Sequence, residues 1–278
     1  MFCWSFTCLP DQVDVWLEKL DTLDPTRLVI TRTPGRQRQT IAYYTASKRE
    51  AAALQNAHSG IVAPVDQTWM TPSKPHPPIR IRDQFLIVEN GATPPDPREI
   101  IIPAGMAFGT GDHPTTASCL RLLCDEARAR GPVRSLLDVG TGSGVLAIAA
   151  KKLGAKVVAA FDYDAVAIRA ARENARLNQV RGIRWAVDDL LQFTPDRVHA
   201  VVTANIFSEL FLAAWPRLAP AVEPGGAFLL SGILRFQEVE CRSAFEKAGF
   251  TVERTVRLGK WVTLLARHNL HGKRLALA

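Results

Sequence analysis

The stretch Ser135-Leu136-Leu137-Asp138-Val139-Gly140-Thr141-Gly142-Ser143-Gly144-Val145-Leu146 decides how the rest of the chain is read. Its first five residues pattern as an apolar strand, three glycines follow at alternate positions, and a helix pattern then opens. Glycine takes positive φ at no steric cost and leaves room for a ligand against the main chain. A helix start adds unpaired N–H groups and the positive end of a dipole. Strand, glycine turn and helix together predict a binding turn for a nucleotide-type ligand.

Around this turn, residues 99–278 alternate strand and helix patterns. Strands are expected at 156–161, 183–187, 200–204 and 226–231. Helices are expected at 115–130, from the glycine turn to 153, and at 165–177, 207–218 and 236–248. Pro114 suits the first turn of the helix at 115, where a missing N–H costs little. Two late runs, 251–258 and 261–266, are close enough to pair antiparallel. Repeated β-α units predict an α/β fold, a doubly wound sheet with ligands at the carboxyl ends of its strands.

The earlier part reads differently. Apolar spacing over residues 11–23 fits a helix face, 28–31 and 40–45 read as strands, and Ser47 with Glu50 resembles a capping box opening a second helix. Residues 1–63 are therefore expected to be a small α+β module, suited to substrate recognition or to a stabilising role. Prolines crowd residues 64–98, where only short extended pieces survive, at 79–82 and 84–88. This segment is expected to be a linker or an edge hairpin leading to the main domain, 99–278.

With 278 residues, 47% hydrophobic and 22% charged, the chain has the composition of a globular protein with a packed core. Residues 1–99 hold 11 Lys and Arg against 11 Asp and Glu, so the whole formal charge of +7 falls in the later part. An anionic partner or ligand fits that asymmetry, and so does a solvated basic surface. Cys3, Cys8, Cys119, Cys124 and Cys241 form no CxxC pair, which argues for a reducing compartment over a disulfide scaffold. The apolar start, residues 1–10, lacks a basic n-region and meets Asp11 and Asp14 at once. No run approaches the ~20 apolar residues of a spanning helix. A cytosolic protein without membrane attachment is the expectation.

The glycines at 140, 142 and 144 form G-x-G-x-G, with Val145 where a dinucleotide fingerprint needs its third glycine. That spacing favours S-adenosylmethionine over NAD. Asp162, 22 residues beyond Gly140 and at a strand end, is placed to accept both ribose hydroxyls. Asp188 or Asp189 is placed for the adenine amino group, and Asp189 is equally placed to cap a turn. No phosphate-loop lysine motif occurs, and His113 has no ligand set beside it, so ATP hydrolysis and metal binding are not expected. Glycine turn and Asp162 together predict a Rossmann-like methyltransferase.

Phe108-Gly109-Thr110-Gly111-Asp112-His113-Pro114-Thr115-Thr116 resembles the PrmA family, methyltransferases of large-subunit ribosomal protein eleven. The likeness continues through Asp138-Val139-Gly140-Thr141-Gly142-Ser143-Gly144, Asp162-Tyr163-Asp164, Val202-Thr203-Ala204-Asn205-Ile206 and Ser231-Gly232-Ile233-Leu234. The resemblance implies a class I fold and cofactor contacts from Thr116, Gly140, Asp162 and Asn205, with Gly142 in the same turn. It also implies an N-terminal ferredoxin-like module that grips a protein substrate, and methylation of lysine ε-amines on a ribosomal large-subunit protein. The chain departs from the family at Pro103-Ala104-Gly105, where Asp-Pro-Gly is usual, and at Asp112, where threonine is common. Its first 98 residues are only loosely similar.

Asn205 is followed by Ile206 and Phe207, without the two prolines usual in methyltransferases of adenine or glutamine nitrogens. That disfavours methylation of DNA, RNA or glutamine, and no stable DNA binding is expected. For Asn205 the bland reading is a strand-end cap. Phe108 and His113 are candidate substrate-side residues, forming a wall or a proton route, while His113 bonded to backbone would be structural. No catalytic base is named. Competing functions are methylation of another protein, an RNA or a small molecule, or a cofactor-binding interaction module without catalysis.

Overall fold

The computed structural model describes residues 2–20, 22–24, 27–32, 38–65, 77–91, 96–103 and 113–270. The chain divides into two compact units, Met1–Lys74 and Pro75–Ala278.

In the first unit the elements run β1 (Phe2–Cys8), α1 (Val13–Lys19), β2 (Leu28–Arg32), β3 (Gln39–Thr45), α2 (Lys48–His58) and β4 (Ile61–Pro64). The sheet order is β2-β3-β1-β4 with every pair antiparallel, the ferredoxin-like βαββαβ arrangement. Trp4, Ile41, Tyr43 and Leu54 form its core, and the Trp4 indole donates to the Ser59 carbonyl at 2.6 Å. Both inner helices and strands were visible as patterns, but β1 and β4 were not. β1 alternates only over Trp4–Cys8, and apolar Phe2, Cys3 and Leu9 on either side mask the pattern. β4 has four residues and ends in proline.

The capping expected at Ser47 is half present. The Ser47 hydroxyl accepts from the Glu50 N–H at 3.2 Å, yet the Glu50 carboxylate turns inward to the hydroxyls of Tyr43 and Thr45. The Ser47 N–H donates to Thr45 Oγ1 instead, at 3.0 Å. Two hydroxyls on the neighbouring strand outcompete a single exposed N–H.

The second unit opens with β5 (Ile79–Ile81), β6 (Phe85–Val88) and β7 (Glu99–Ile101), a hairpin with a third strand parallel to β6. Then come α3 (Pro114–Arg130), β8 (Ser135–Val139), α4 (Val145–Lys152), β9 (Val157–Asp162), α5 (Ala165–Leu177) and β10 (Ile183–Val187). These are followed by β11 (His199–Asn205), α6 (Ser208–Leu218), β12 (Val222–Leu234), α7 (Glu238–Lys247), β13 (Phe250–Leu258) and β14 (Trp261–His268). Strand order in the main sheet is β10-β9-β8-β11-β12-β14-β13, parallel from β10 to β12 and antiparallel beyond. The late runs thus pair as expected, with Leu258 opposite Trp261.

Successive residues of the central strands feed opposite layers, as the two-residue period requires. Leu136, Val158, Val201 and Leu229 pack into one core with α3 and α4. Leu137, Ala159, Val202 and Leu230 pack into the other with α6 and α7. In the second layer Phe211, Trp215, Phe228 and Phe245 meet with ring centroids 4.8 to 5.9 Å apart. The antiparallel edge is tied to α3 by Arg267, whose guanidinium meets Glu126 at 2.7 and 2.8 Å and Glu253 at 2.9 Å.

The chain leaves β8 toward β9 on one side and later returns to place β11 on the other. The crevice at the carboxyl ends of β8 and β11 is therefore the topological switch point, where open α/β sheets bind ligands.

Candidate functional site

Two turns flank that crevice. After β8, Gly140, Gly142 and Gly144 all have positive φ, at 64°, 53° and 81°. Two of them are also needed for space. A Cβ on Gly140 would lie 2.9 Å from Ile206 Cγ2, and one on Gly144 would lie 2.9 Å from Ala171 Cβ. Only glycine lets the turn sit against both β11's end and α5.

Asp138 fixes this turn from below. Its carboxylate, 1% exposed, accepts from the hydroxyls of Thr141 and Thr203, each at 2.6 Å, and from the Ala147 N–H. Gly144 at the start of α4 has no side chain to cap the helix, so the charge on β8 serves that helix end instead. Burial pushes the Asp138 carboxyl up to about 6 despite these bonds, which favour the ionised form.

Asp162 ends β9 on the crevice wall. Gly142 N–H donates to its Oδ2 at 2.9 Å and Asp164 N–H to its Oδ1 at 3.1 Å. Each carboxylate oxygen has two acceptor sites, so capacity remains on both for hydroxyl donors. Asp188 and Asp189 follow β10 on the same wall. The Asp189 carboxylate accepts from the Leu191 N–H at 2.9 Å, the turn-capping alternative.

From the other side, Asn205 ends β11, and its Nδ2 donates to Thr116 Oγ1 on α3 at 3.2 Å. Its Oδ1 is buried with no partner. Whichever way the amide is turned, one of its polar atoms is left over, and a buried orphan of this kind costs about 1–3 kcal/mol unless a ligand satisfies it. Gly232 lets β12 close on this corner: a Cβ there would come within 2.5 Å of the Ile206 carbonyl oxygen.

His113 is the N-cap of α3. Its Nδ1 accepts from the Thr115 N–H at 3.4 Å and lies 2.7 Å from the Thr115 hydroxyl. The ring stands edge-on to Trp261 at 5.0 Å.

These residues enclose one cavity of about 700 Å³, in the size range of small-molecule sites. Thr116, Gly140, Gly142, Asp162, Asn205 and His113 all line it. Phe108 lies outside the described residues. Trp261, Phe207 and Gly232 line it too and were not expected there. Trp261 arrives through antiparallel pairing with Leu234, a long-range contact that no local pattern announces. Gly232 had a signal, a glycine after the expected strand 226–231, and it sits at the irregularity of β12 between Leu230 and Ile233. Among the described residues no three His, Cys, Asp or Glu side chains gather into a metal-ligand set.

The cavity fits S-adenosylmethionine on its own chemistry. Backbone of Gly140 and Gly142 lines it, a carboxylate with spare acceptor sites stands at a strand end, and an amide atom waits unpaired opposite. The family model for ribosomal protein L11 methyltransferase (PrmA) matches residues 17–269. A ribosomal protein L11 methyltransferase of Bacillus cereus strain Q1 is 43% identical over 209 residues, 73% of this chain. One from Bacillus anthracis strain CDC 684 is 42% identical over the same length. The matched stretch spans 66% of each of these relatives. The crystal structure of a ribosomal protein L11 methylase from Lactobacillus delbrueckii subsp. bulgaricus superposes with a TM-score of 0.62 at 32% identity, covering 70% of this chain and all of that one. The chain belongs to the ribosomal protein L11 methyltransferase (PrmA) family.

Proposed function

We propose that this protein transfers methyl groups from S-adenosylmethionine to lysine amines of a ribosomal large-subunit protein, ribosomal protein L11 being the first candidate. The observation that carries the reading is the switch-point cavity, which sets the bare glycine turn and Asp162 on one side against Thr116 and the unpaired Asn205 amide on the other. When bound, S-adenosylmethionine supplies a methyl group activated by its sulfonium.

The chain's own residues then position and desolvate. Asp162 accepts ribose hydroxyls with the sites that Gly142 and Asp164 leave open. Asn205 Oδ1 accepts an N–H, and its amide is held in aim by Thr116. Val145, Phe161, Ile206 and Leu210 exclude water from the cavity. An apolar wall disfavours the ammonium form of an incoming lysine, whose unperturbed pKa is about 10.4, and its proton leaves to solvent. Orientation supplies most of the rate, because this displacement needs little acid catalysis.

In this reading the ferredoxin-like unit grips the acceptor protein. No helix among the described residues is long and apolar enough to cross a membrane. Action in the cytoplasm, where ribosomal proteins are made, completes the reading.

The test is a binding titration with S-adenosylmethionine alongside transfer of labelled methyl groups into a cell extract. Binding together with label in a protease-sensitive protein band is expected. Label in RNA, or binding without any transfer, contradicts the proposal and favours the RNA enzyme or the interaction module.

A further inference from the structure

Helix α5 is rich in alanine on its buried face, yet it carries Asn174 there and is C-capped by Asn178, the two only 8% and 9% exposed. Asparagine is a poor helix former and is seldom buried, so a pair spaced by one turn calls for partners. Both have them, at long range. Asn174 Nδ2 donates to the Ser143 carbonyl at 2.8 Å. Asn178 Oδ1 accepts from the Ile101 N–H at 2.8 Å, while its Nδ2 donates to the Ile101 carbonyl at 2.7 Å and the Asn174 carbonyl at 2.8 Å. Asn178 thus acts as a one-residue strand on the edge of β7, and it also holds the backbone of Asn174.

Ser143 lies between Gly142 and Gly144 and is itself buried. The same helix touches the turn at two further points. Ala171 fills the space that a Gly144 side chain would need. At its start, the Asp164 N–H donates to Asp162, the carboxylate that also receives the Gly142 N–H. The second half of the glycine turn is therefore held to α5, directly at Ser143 and Gly144 and through Asp162 at Gly142, although neither asparagine lines the cavity.

We infer that Asn174 is a positioning residue for the methyl donor, fixing the Ser143 carbonyl and through it the Gly142 backbone on the cavity wall, and that Asn178 supports it from β7. The inference rests on the reading of the cavity as the S-adenosylmethionine site. It assigns to α5 a part in affinity that no ligand contact of these asparagines would reveal.

Calorimetric titration of the full chain with S-adenosylhomocysteine tests this without turnover. Loss of a hydrogen bond to a buried carbonyl predicts that Asn174→Ala weakens binding roughly tenfold. Asn174→Leu keeps about the size but removes the donor, and it is expected to do the same, which keeps the test open if the alanine variant fails to fold. Amide exchange should quicken at Gly142 and Gly144 in either variant. Phe245→Leu, in the opposite core layer, serves as a control for general destabilisation and is expected to bind as the native protein does. Native affinity in either folded Asn174 variant overturns the inference, as does equal weakening in the control. A native protein that fails to bind S-adenosylhomocysteine refutes the underlying reading of the cavity, and the inference falls with it.

Discussion

Asp162 does two jobs with one carboxylate. It holds the Gly142 and Asp164 N–H groups in place, and it presents its remaining acceptor sites to the cavity. Asp162→Ala removes both, and S-adenosylmethionine affinity is expected to fall tenfold or more, about 1.4 kcal/mol or above; unchanged affinity by calorimetry would refute the ribose assignment. The residue was legible because its distance from Gly140 and its strand-end place are local facts. Asp138 was not, since its partner Thr203 stands 65 positions away on β11 and meets it only across a parallel pair. His199 was silent for the same reason. It is buried at the other end of β11 with Nδ1 unpartnered, and burial, with Arg197 nearby, depresses its pKa from 6.5 to about 4. Below about pH 6.5 the unfolded chain takes up a proton that the folded chain refuses, so stability falls as pH drops toward 4. Asp138, raised to about 6, acts in the opposite sense. His199→Leu should therefore remove about 2 kcal/mol of the acid-induced loss between roughly pH 7 and pH 5. Urea unfolding of both proteins at the two pH values checks this, and parallel pH profiles would contradict it.

Among the elements, long periodic helices and central strands were readable from spacing, and so was the pairing of β13 with β14. The misses share a cause: β1 and β4 owe their existence to neighbours in the sheet, and Glu50 took the partners that β3 offered over the cap. The same dependence on distant partners governs the antiparallel edge. Arg267 of β14 and Glu126 of α3 are nearly buried and joined by two hydrogen bonds. Removing Arg267 leaves Glu126 only the half-exposed Arg130, 3.4 Å away, so Arg267→Met is expected to cost about 3 kcal/mol in denaturant unfolding. Replacing both with apolar residues should recover most of that loss. A single variant within 1 kcal/mol of native would show the pair to be solvated rather than buried.

For the whole molecule, strand order decides where chemistry is possible. β8 and β11 are neighbours whose connections diverge, and the chain puts its glycine turn after one and Asn205 after the other. The sequence disclosed both turns, but not that they face each other across 700 Å³ with Trp261 at the rim, because that follows from the sheet's closing order. In the proposed reading the N-terminal unit selects the target of the methyl group. The most direct measurement is the intact mass of ribosomal protein L11 before and after incubation with the enzyme and S-adenosylmethionine. The account predicts gains in whole methyl steps, mapped to lysines and slowed by Asp162→Ala at limiting S-adenosylmethionine. An unchanged mass, from enzyme shown to bind S-adenosylmethionine, would contradict it.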